Sequence, residues 1–157
     1  MKKISIVLLT AALVSNEAIA QKISDEKVPA AVASAFKAKF PKTTKMSWEM
    51  ENANAYEAEF KLNGEKVSAN FDSSGKWLET ETDIKVSALP AAVQKAIKKD
   101  FAGFKIEEAS KVESARDGNC FEVEIEKGKE EFDVLFTADG KMLSKTKEQE
   151  GEKGEKD

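Results

Sequence analysis

The chain has 157 residues, of which 34% are charged, and it contains one cysteine and no histidine. Without imidazole it cannot form a Ser-His-Asp triad, a Cys-His dyad or a histidine-ligated metal site. Its formal net charge of −4 argues against nucleic-acid binding, because proteins that bind nucleic acids usually concentrate positive charge to displace counterions from phosphates.

The first twenty residues have the pattern of a secretory signal peptide. Two lysines precede an apolar run over residues 4–14, and Ala18 and Ala20 precede Gln21. We therefore expect cleavage between Ala20 and Gln21, with a periplasmic or secreted mature chain. The run is too short for a membrane-spanning helix, which needs roughly 20 residues, so no membrane span is predicted in the mature chain. An uncleaved N-terminal anchor is the alternative.

The rest of the chain contains an internal similarity. Residues 28–42 match residues 89–103, and residues 56–80 match residues 121–145. The second copy has four extra residues, which we place in the turn Ala115–Asn119, because Asp-Gly and Gly-Asn are turn-forming dipeptides. The predicted organisation is a signal peptide over residues 1–20, repeats over residues 21–86 and 87–146, and a disordered charged tail over residues 147–157.

Each copy is predicted to begin with a helix. Pro29 and Pro90 suit the first turn of a helix, where a missing N–H costs nothing. Apolar side chains then recur at helical spacing, forming one stripe in each copy. The stripes are Val32, Ala35, Phe36 and Phe40 in the first copy, and Val93, Ala96, Ile97 and Phe101 in the second.

After each helix, apolar and polar side chains alternate as in half-buried antiparallel strands. Patterns near residues 46–51 and 108–113, the second of them weak, predict a first strand in each copy, and Trp48 is assigned to the core. A turn is predicted at Asn63-Gly64. The apolar positions shared by the copies are 56/121, 58/123, 60/125, 67/132, 69/134, 71/136 and 78/143. The predicted fold class is α+β: two tandem repeats of a helix plus a four-stranded antiparallel sheet, with the helices packed on one face of the sheet.

The motifs resemble those of the PepSY-like family of envelope proteins. They are Val28 or Leu89 followed by Pro-Ala-Ala-Val, a helix ending in Phe, an alternating strand, and Phe-x-x-x-Gly-Lys-x-Leu. The resemblance covers Val28 to Thr146. It implies a secreted double repeat similar to β-lactamase inhibitor protein and associated with binding or restraining other proteins, especially hydrolases.

Two carboxylate pairs are the candidates for chemistry: Glu57/Glu59 and Glu122/Glu124. Glutamates two residues apart on a strand lie roughly 6.5–7 Å apart on one face, a separation that overlaps that of inverting glycosidases. We interpret both pairs as a solvated outer face, because a general acid needs a desolvated carboxyl group. No catalytic residue is predicted.

Metal and redox sites are also not predicted. The segments Asp72–Gly75 and Thr137–Gly140 match only part of a calcium loop. No cofactor motif is present. Cys120 has no second cysteine to pair with in the chain, and we interpret it as a small side chain at the start of a strand.

Three apolar residues are out of phase with the core pattern: Trp77, Met142 and Leu135. Alternation predicts that they lie on the outer face, either covering a sheet edge or the seam between copies, or forming a partner-binding patch. The resulting hypothesis is a non-enzymatic, inhibitor-like module. Its outer face, with Trp77, Met142, Leu135 and the four glutamates, would dock an envelope protein or peptide. The alternatives are a structural or stress-related envelope protein and a hydrolase that uses carboxylates alone. The sequence leaves the oligomeric state open.

Overall fold

The structure, a computed structural model, describes residues 21–52 and 54–147. The predicted signal peptide and residues 148–157 of the predicted tail lie outside the described residues. Within these two stretches, no helix is long and apolar enough to cross a membrane.

The described residues form nine strands and two α-helices. In chain order they are β1 Gln21–Ile23, α1 Ala30–Lys39, β2 Met46–Asn52, β3 Ala55–Leu62, β4 Glu65–Asp72, β5 Trp77–Asp83, α2 Ala91–Asp100, β6 Lys105–Ser114, β7 Gly118–Lys127, β8 Glu130–Thr137 and β9 Met142–Lys147. A short 3-10 turn precedes each helix, at Asp25–Lys27 and Val86–Ala88.

The predicted fold class is wrong. The nine strands form one antiparallel sheet in chain order, from β1 to β9, with two helices of ten residues each, rather than two repeats of a helix and a four-stranded sheet. Alternation indicates which side chains share a face, but it does not specify which strand lies beside β5. In the structure β6 lies there: the Ala115 N–H donates to the Leu78 carbonyl at 2.8 Å, and the Ile84 N–H donates to the Ala109 carbonyl at 2.9 Å.

The chain divides into two compact units. One runs to Thr82 and includes Glu113–Gly118, and the other comprises Asp83–Val112 and the chain from Asn119 onward. The repeat boundaries expected from the sequence, 21–86 and 87–146, remain a prediction.

In the first unit, α1 packs on one face of the sheet. Its stripe is confirmed: Val32 and Phe36 are buried, with Ala35 and Phe40 packed against the same core cluster. The ring of Phe36 meets Trp48 edge-on at 5.3 Å between centroids and Phe60 at 5.2 Å, in the geometry that aromatic pairs prefer.

In the second unit, α2 makes the corresponding packing. Val93, Ile97 and Phe101 are buried, and the ring of Phe101 lies perpendicular to that of Phe136 at 6.5 Å between centroids. The predicted helix stripe is therefore confirmed in this unit as well. Cys120, at the start of β7, is fully buried.

Six of the seven shared apolar position pairs lie on the helix side, as predicted; the exception is 78/143. The predicted turn at Asn63-Gly64 joins β3 to β4, and both residues have positive φ, as tight hairpin turns require. This turn fixes the register in which Phe60 faces Val67 and Ala58 faces Ala69.

Candidate functional site

In the first unit, the sheet face opposite α1 carries polar side chains from four neighbouring strands. Directly paired residues of antiparallel strands project to the same face. Glu49 pairs with Glu57, Glu57 with Asn70, and Asn70 with Glu79. These four residues, one each from β2 to β5, are called the acidic row.

A second row runs beside the acidic row on the same face. It consists of Ser47, Glu59, Ser68 and Glu81, again one residue from each of β2 to β5. The hydroxyl of Ser47 donates to Oε2 of Glu59 at 3.2 Å. The two rows together are called the acidic face.

Most of the acidic row is buried, which the sequence did not predict. Glu49 is 3% exposed, Glu57 5% and Asn70 2%, whereas Glu59 of the second row is exposed. The interpretation of Glu57 as part of a solvated surface is wrong. Strand alternation assigned it correctly to the side opposite the core, but it cannot tell whether that side is covered.

Two side chains of the acidic row have oxygens without hydrogen-bond partners. Oδ1 of Asn70 and Oε1 of Glu79 are both inaccessible to solvent and make no hydrogen bond in the structure. Burial raises the pKa of Glu79 above its ordinary value of 4.5; the positive charge of Arg116 acts in the opposite direction, and Asp117 adds to the increase. The β5 end of the acidic row therefore offers hydrogen-bond acceptors, and a positive charge placed there is stabilised by the carboxylate.

The second unit has its own acidic pairs on the side of the sheet opposite α2. Glu124 of β7 pairs with Asp133 of β8, and Glu122 pairs with Leu135. Glu124 is 3% exposed, Asp133 is buried and Glu122 is half-buried. The prediction that Glu124 lies in solvent is therefore also wrong, for the same reason as for Glu57.

Trp77 and Met142 are not where alternation placed them. In both hairpins the register shifts: Asn70 pairs with Glu79, but Phe71 pairs with Trp77. Likewise Leu135 pairs with Ser144, but Phe136 pairs with Met142. Each bulge inserts one residue, Leu78 or Leu143, and turns the residue before it to the helix side.

The consequences of these bulges differ between the two residues. Trp77 packs against the core of the first unit, donates from Nε1 to Thr80 at 3.0 Å, and has the ammonium of Lys39 3.8 Å from its ring centre. Met142 is 47% exposed, and Leu135 is half-buried on the side opposite α2. The structure thus does not place Trp77 with the glutamates, and its role in binding a partner remains an untested prediction.

The two segments that match part of a calcium loop are turns in which the aspartate accepts hydrogen bonds from other residues of the same turn. Oδ1 of Asp72 accepts hydrogen bonds from the Ser74 hydroxyl, from the Ser74 N–H at 2.8 Å and from the Lys76 N–H at 3.0 Å, and the Thr137 hydroxyl donates to Asp139. The side-chain hydrogen bonds are the main reason that the pKa values of both aspartates are lowered. Among the described residues, no three His, Cys, Asp or Glu side chains are grouped to hold a metal ion.

Sequence reasoning missed Glu49, Asn70, Glu79 and Glu81 as members of the site. A signal for one contact was available, because a two-residue turn at Asn63-Gly64 sets Glu57 opposite Asn70. The contact between Asn70 and Glu79 depends on the β4–β5 bulge, for which we find no sequence signal.

Comparisons with known proteins agree with this architecture. A family model described as "Putative beta-lactamase-inhibitor-like, PepSY-like" matches residues 15–68 and 54–144. A search of curated proteins finds no match. The solved structure of a BLIP-like protein from Bacteroides fragilis is 25% identical with a TM-score of 0.65, covering 81% of this chain and 92% of that chain.

A second solved structure, from Bacteroides eggerthii, is described as "putative periplasmic proteins". It is 22% identical with a TM-score of 0.67, and the match covers 76% of this chain and 88% of that chain, which shows a shared fold. The family match spans most of the described residues and agrees with the Pro-Ala-Ala-Val and Phe-x-x-x-Gly-Lys-x-Leu motifs. The chain belongs to the PepSY-like, β-lactamase-inhibitor-like family.

Proposed function

We propose that this protein is a non-enzymatic binding module of the periplasm, and that the accessible carboxylates of its acidic face, Glu59 and Glu79, receive a basic segment of a partner protein. The observation that carries this proposal is the acidic row, in which strand register brings Glu49, Glu57 and Glu79 together with Asn70 on a helix-free side of the sheet. The BLIP-like description of the Bacteroides fragilis structure supports a protein as the partner.

The charge of the acidic face favours a cationic partner. Its two rows contain five glutamates and no lysine or arginine. The lysines nearest to them are Lys22 of β1, which pairs with Glu49, and Lys61 and Lys66, which pair with each other beyond the second row. This excess of carboxylates would attract a basic group of a partner and steer the encounter.

The residues give less support to an enzyme. Two surface grooves, of about 450 Å³ and 730 Å³, are each lined by one acidic side chain, Glu59 and Glu107 respectively. The paired glutamates that a carboxylate-only hydrolase would need do not meet in either groove. The sequence also has no histidine to serve as a base near neutral pH.

The periplasmic location rests on two observations. The first twenty residues have the charge and hydrophobicity pattern of an export signal. The Bacteroides eggerthii structure, which shares the fold, is described as periplasmic.

The test is affinity capture from an envelope extract at low and high salt. Wild-type protein is compared with a Glu57→Gln/Glu59→Gln variant and with a control, Glu65→Gln/Glu130→Gln, which removes two exposed charges at hairpin turns. We expect a partner that is captured by wild type and control, weakened by salt and lost with the Glu57/Glu59 variant. The same partners on all three proteins would contradict the proposed face, and no partner at all would favour a structural envelope role.

A further inference from the structure

The β6–β7 turn is built against the first unit. It lies within the segment in which the sequence predicts the four extra residues of the second copy, and residues 113–118 group with the first unit. The Ala115 N–H donates to the carbonyl of Leu78, next to Glu79 in sequence. The hydroxyl of Ser114 accepts hydrogen bonds from the N–H groups of Arg116 at 3.2 Å and Asp117 at 3.4 Å, which order the turn.

Arg116 follows Ala115, which is hydrogen-bonded to the residue before Glu79, so the turn carries a positive charge near the end of the acidic row. Arg116 is the residue whose positive charge acts on Glu79. Asp117 accepts hydrogen bonds from Arg116 through Nε at 2.7 Å, with Nη2 at 2.6 Å from the same oxygen. The side chain of Arg116 is 62% exposed, so a partner can reach it.

Asn70 and Glu79 supply what a second cation would need. They are direct neighbours on β4 and β5. Each has one side-chain oxygen that is buried and makes no hydrogen bond. Asn70 is almost completely buried, so its side chain has little freedom to move. Ammonium and guanidinium groups carry only donors, three and five respectively, and therefore match this pair of acceptors.

We propose that Asn70 and Glu79 form the receptor for one lysine or arginine side chain of the partner, and that Arg116 competes for the same place. This inference rests on the proposed function, because it specifies where on the acidic face the partner's charge is received. A basic side chain of a partner must then bind at this place more strongly than Arg116 does. The turn that carries Arg116 therefore helps to determine which partners bind.

The test uses isothermal titration calorimetry with a short peptide of alternating serine and arginine at low salt. Side chains two positions apart on an extended peptide share a face, so the arginines of this peptide can face the sheet together. We expect Glu79→Gln to weaken binding by about tenfold or more, because it removes a desolvated charge. Arg116→Ala should tighten binding by about threefold, and Arg116→Lys should stay near wild type, because it keeps the competing charge.

Lys129→Ala is the matched control, since it removes one exposed positive charge from a different turn. If Lys129→Ala tightens binding as much as Arg116→Ala, the effect is general electrostatics and the inference is wrong. It is also wrong if Glu57→Gln/Glu59→Gln abolishes binding while the Glu79 and Arg116 variants bind as wild type does; the proposed face then stands without this receptor. If wild type does not bind the peptide at all, both the inference and the basic-partner proposal are contradicted.

Discussion

Glu79 combines burial with charge at the end of the acidic row. Burial raises the pKa of Glu79 above 4.5, only partly countered by Arg116, so the folded state holds the proton more tightly than the unfolded state does. The associated stability is fully present below pH 4.5. It is lost as the pH rises through the higher pKa of the folded state, where keeping the carboxylate charged costs free energy.

Glu79→Gln should therefore stabilise the protein at neutral pH. The gain should shrink as the pH falls and vanish near about pH 3, where the wild-type carboxyl is protonated in both states. Urea unfolding at several pH values measures this difference, with Glu130→Gln in an exposed turn as the control. A Gln variant that is less stable than wild type at pH 7 would show that the carboxylate stabilises the fold.

Gly75 is fixed by close contact with the start of α1. A Cβ at this position would lie 2.6 Å from the backbone oxygen of Ala31, and Gly75 has a φ of +85°. Gly64 has a similar φ of +90° but no atom within 4 Å of its Cβ position, so it isolates the cost of backbone strain.

We expect Gly75→Ala to lower the free energy of unfolding by more than about 1 kcal/mol. The loss should be larger than that of Gly64→Ala, because only at position 75 does the added Cβ clash with backbone atoms. Denaturant melts of the two variants test this directly. Equal losses would show that the β4–β5 turn is not in contact with α1. Gly140 makes the same contact with Ala92, so Gly140→Ala should behave like Gly75→Ala.

At the scale of helices and strands, the helix-side core is the best-predicted feature. Phe71 and Phe136 are fully buried at corresponding positions in the two copies. Replacing either one by Ala should cost about 3–5 kcal/mol, because the packed surroundings leave a cavity. Met142→Ala, opposite Phe136 but exposed, should change stability by no more than about 0.5 kcal/mol. A loss below about 1 kcal/mol for both phenylalanines would contradict this core.

Other features of the strands were beyond sequence reasoning for physical reasons. A bulge is a local insertion in the ladder, so the alternation that correctly places Phe71 gives the wrong side for Trp77 six residues later. β1 has three residues, too few to show a period. By contrast, the tight turn at Asn63-Gly64 could be predicted, because this dipeptide favours the positive φ values that the structure has.

For the whole molecule, the arrangement of the strands in one sheet depends on the pairing of β5 with β6. That pairing is a long-range choice that alternating polarity does not encode, which is why the two-sheet prediction failed. The same limit applies to the acidic face. Its glutamates could be assigned to the side opposite the core, but their burial depends on neighbours that the sequence does not reveal.

The central claim is that the acidic face is the binding surface for a basic partner. The most direct measurement is a titration of isotope-labelled protein with the alternating serine–arginine peptide, followed through backbone amide shifts in NMR spectra. We predict that the largest changes fall on β3 to β5 around Glu57, Glu59, Asn70 and Glu79, and on the turn at Arg116. Changes confined to α1, α2 or β9, with those residues unaffected, would contradict it.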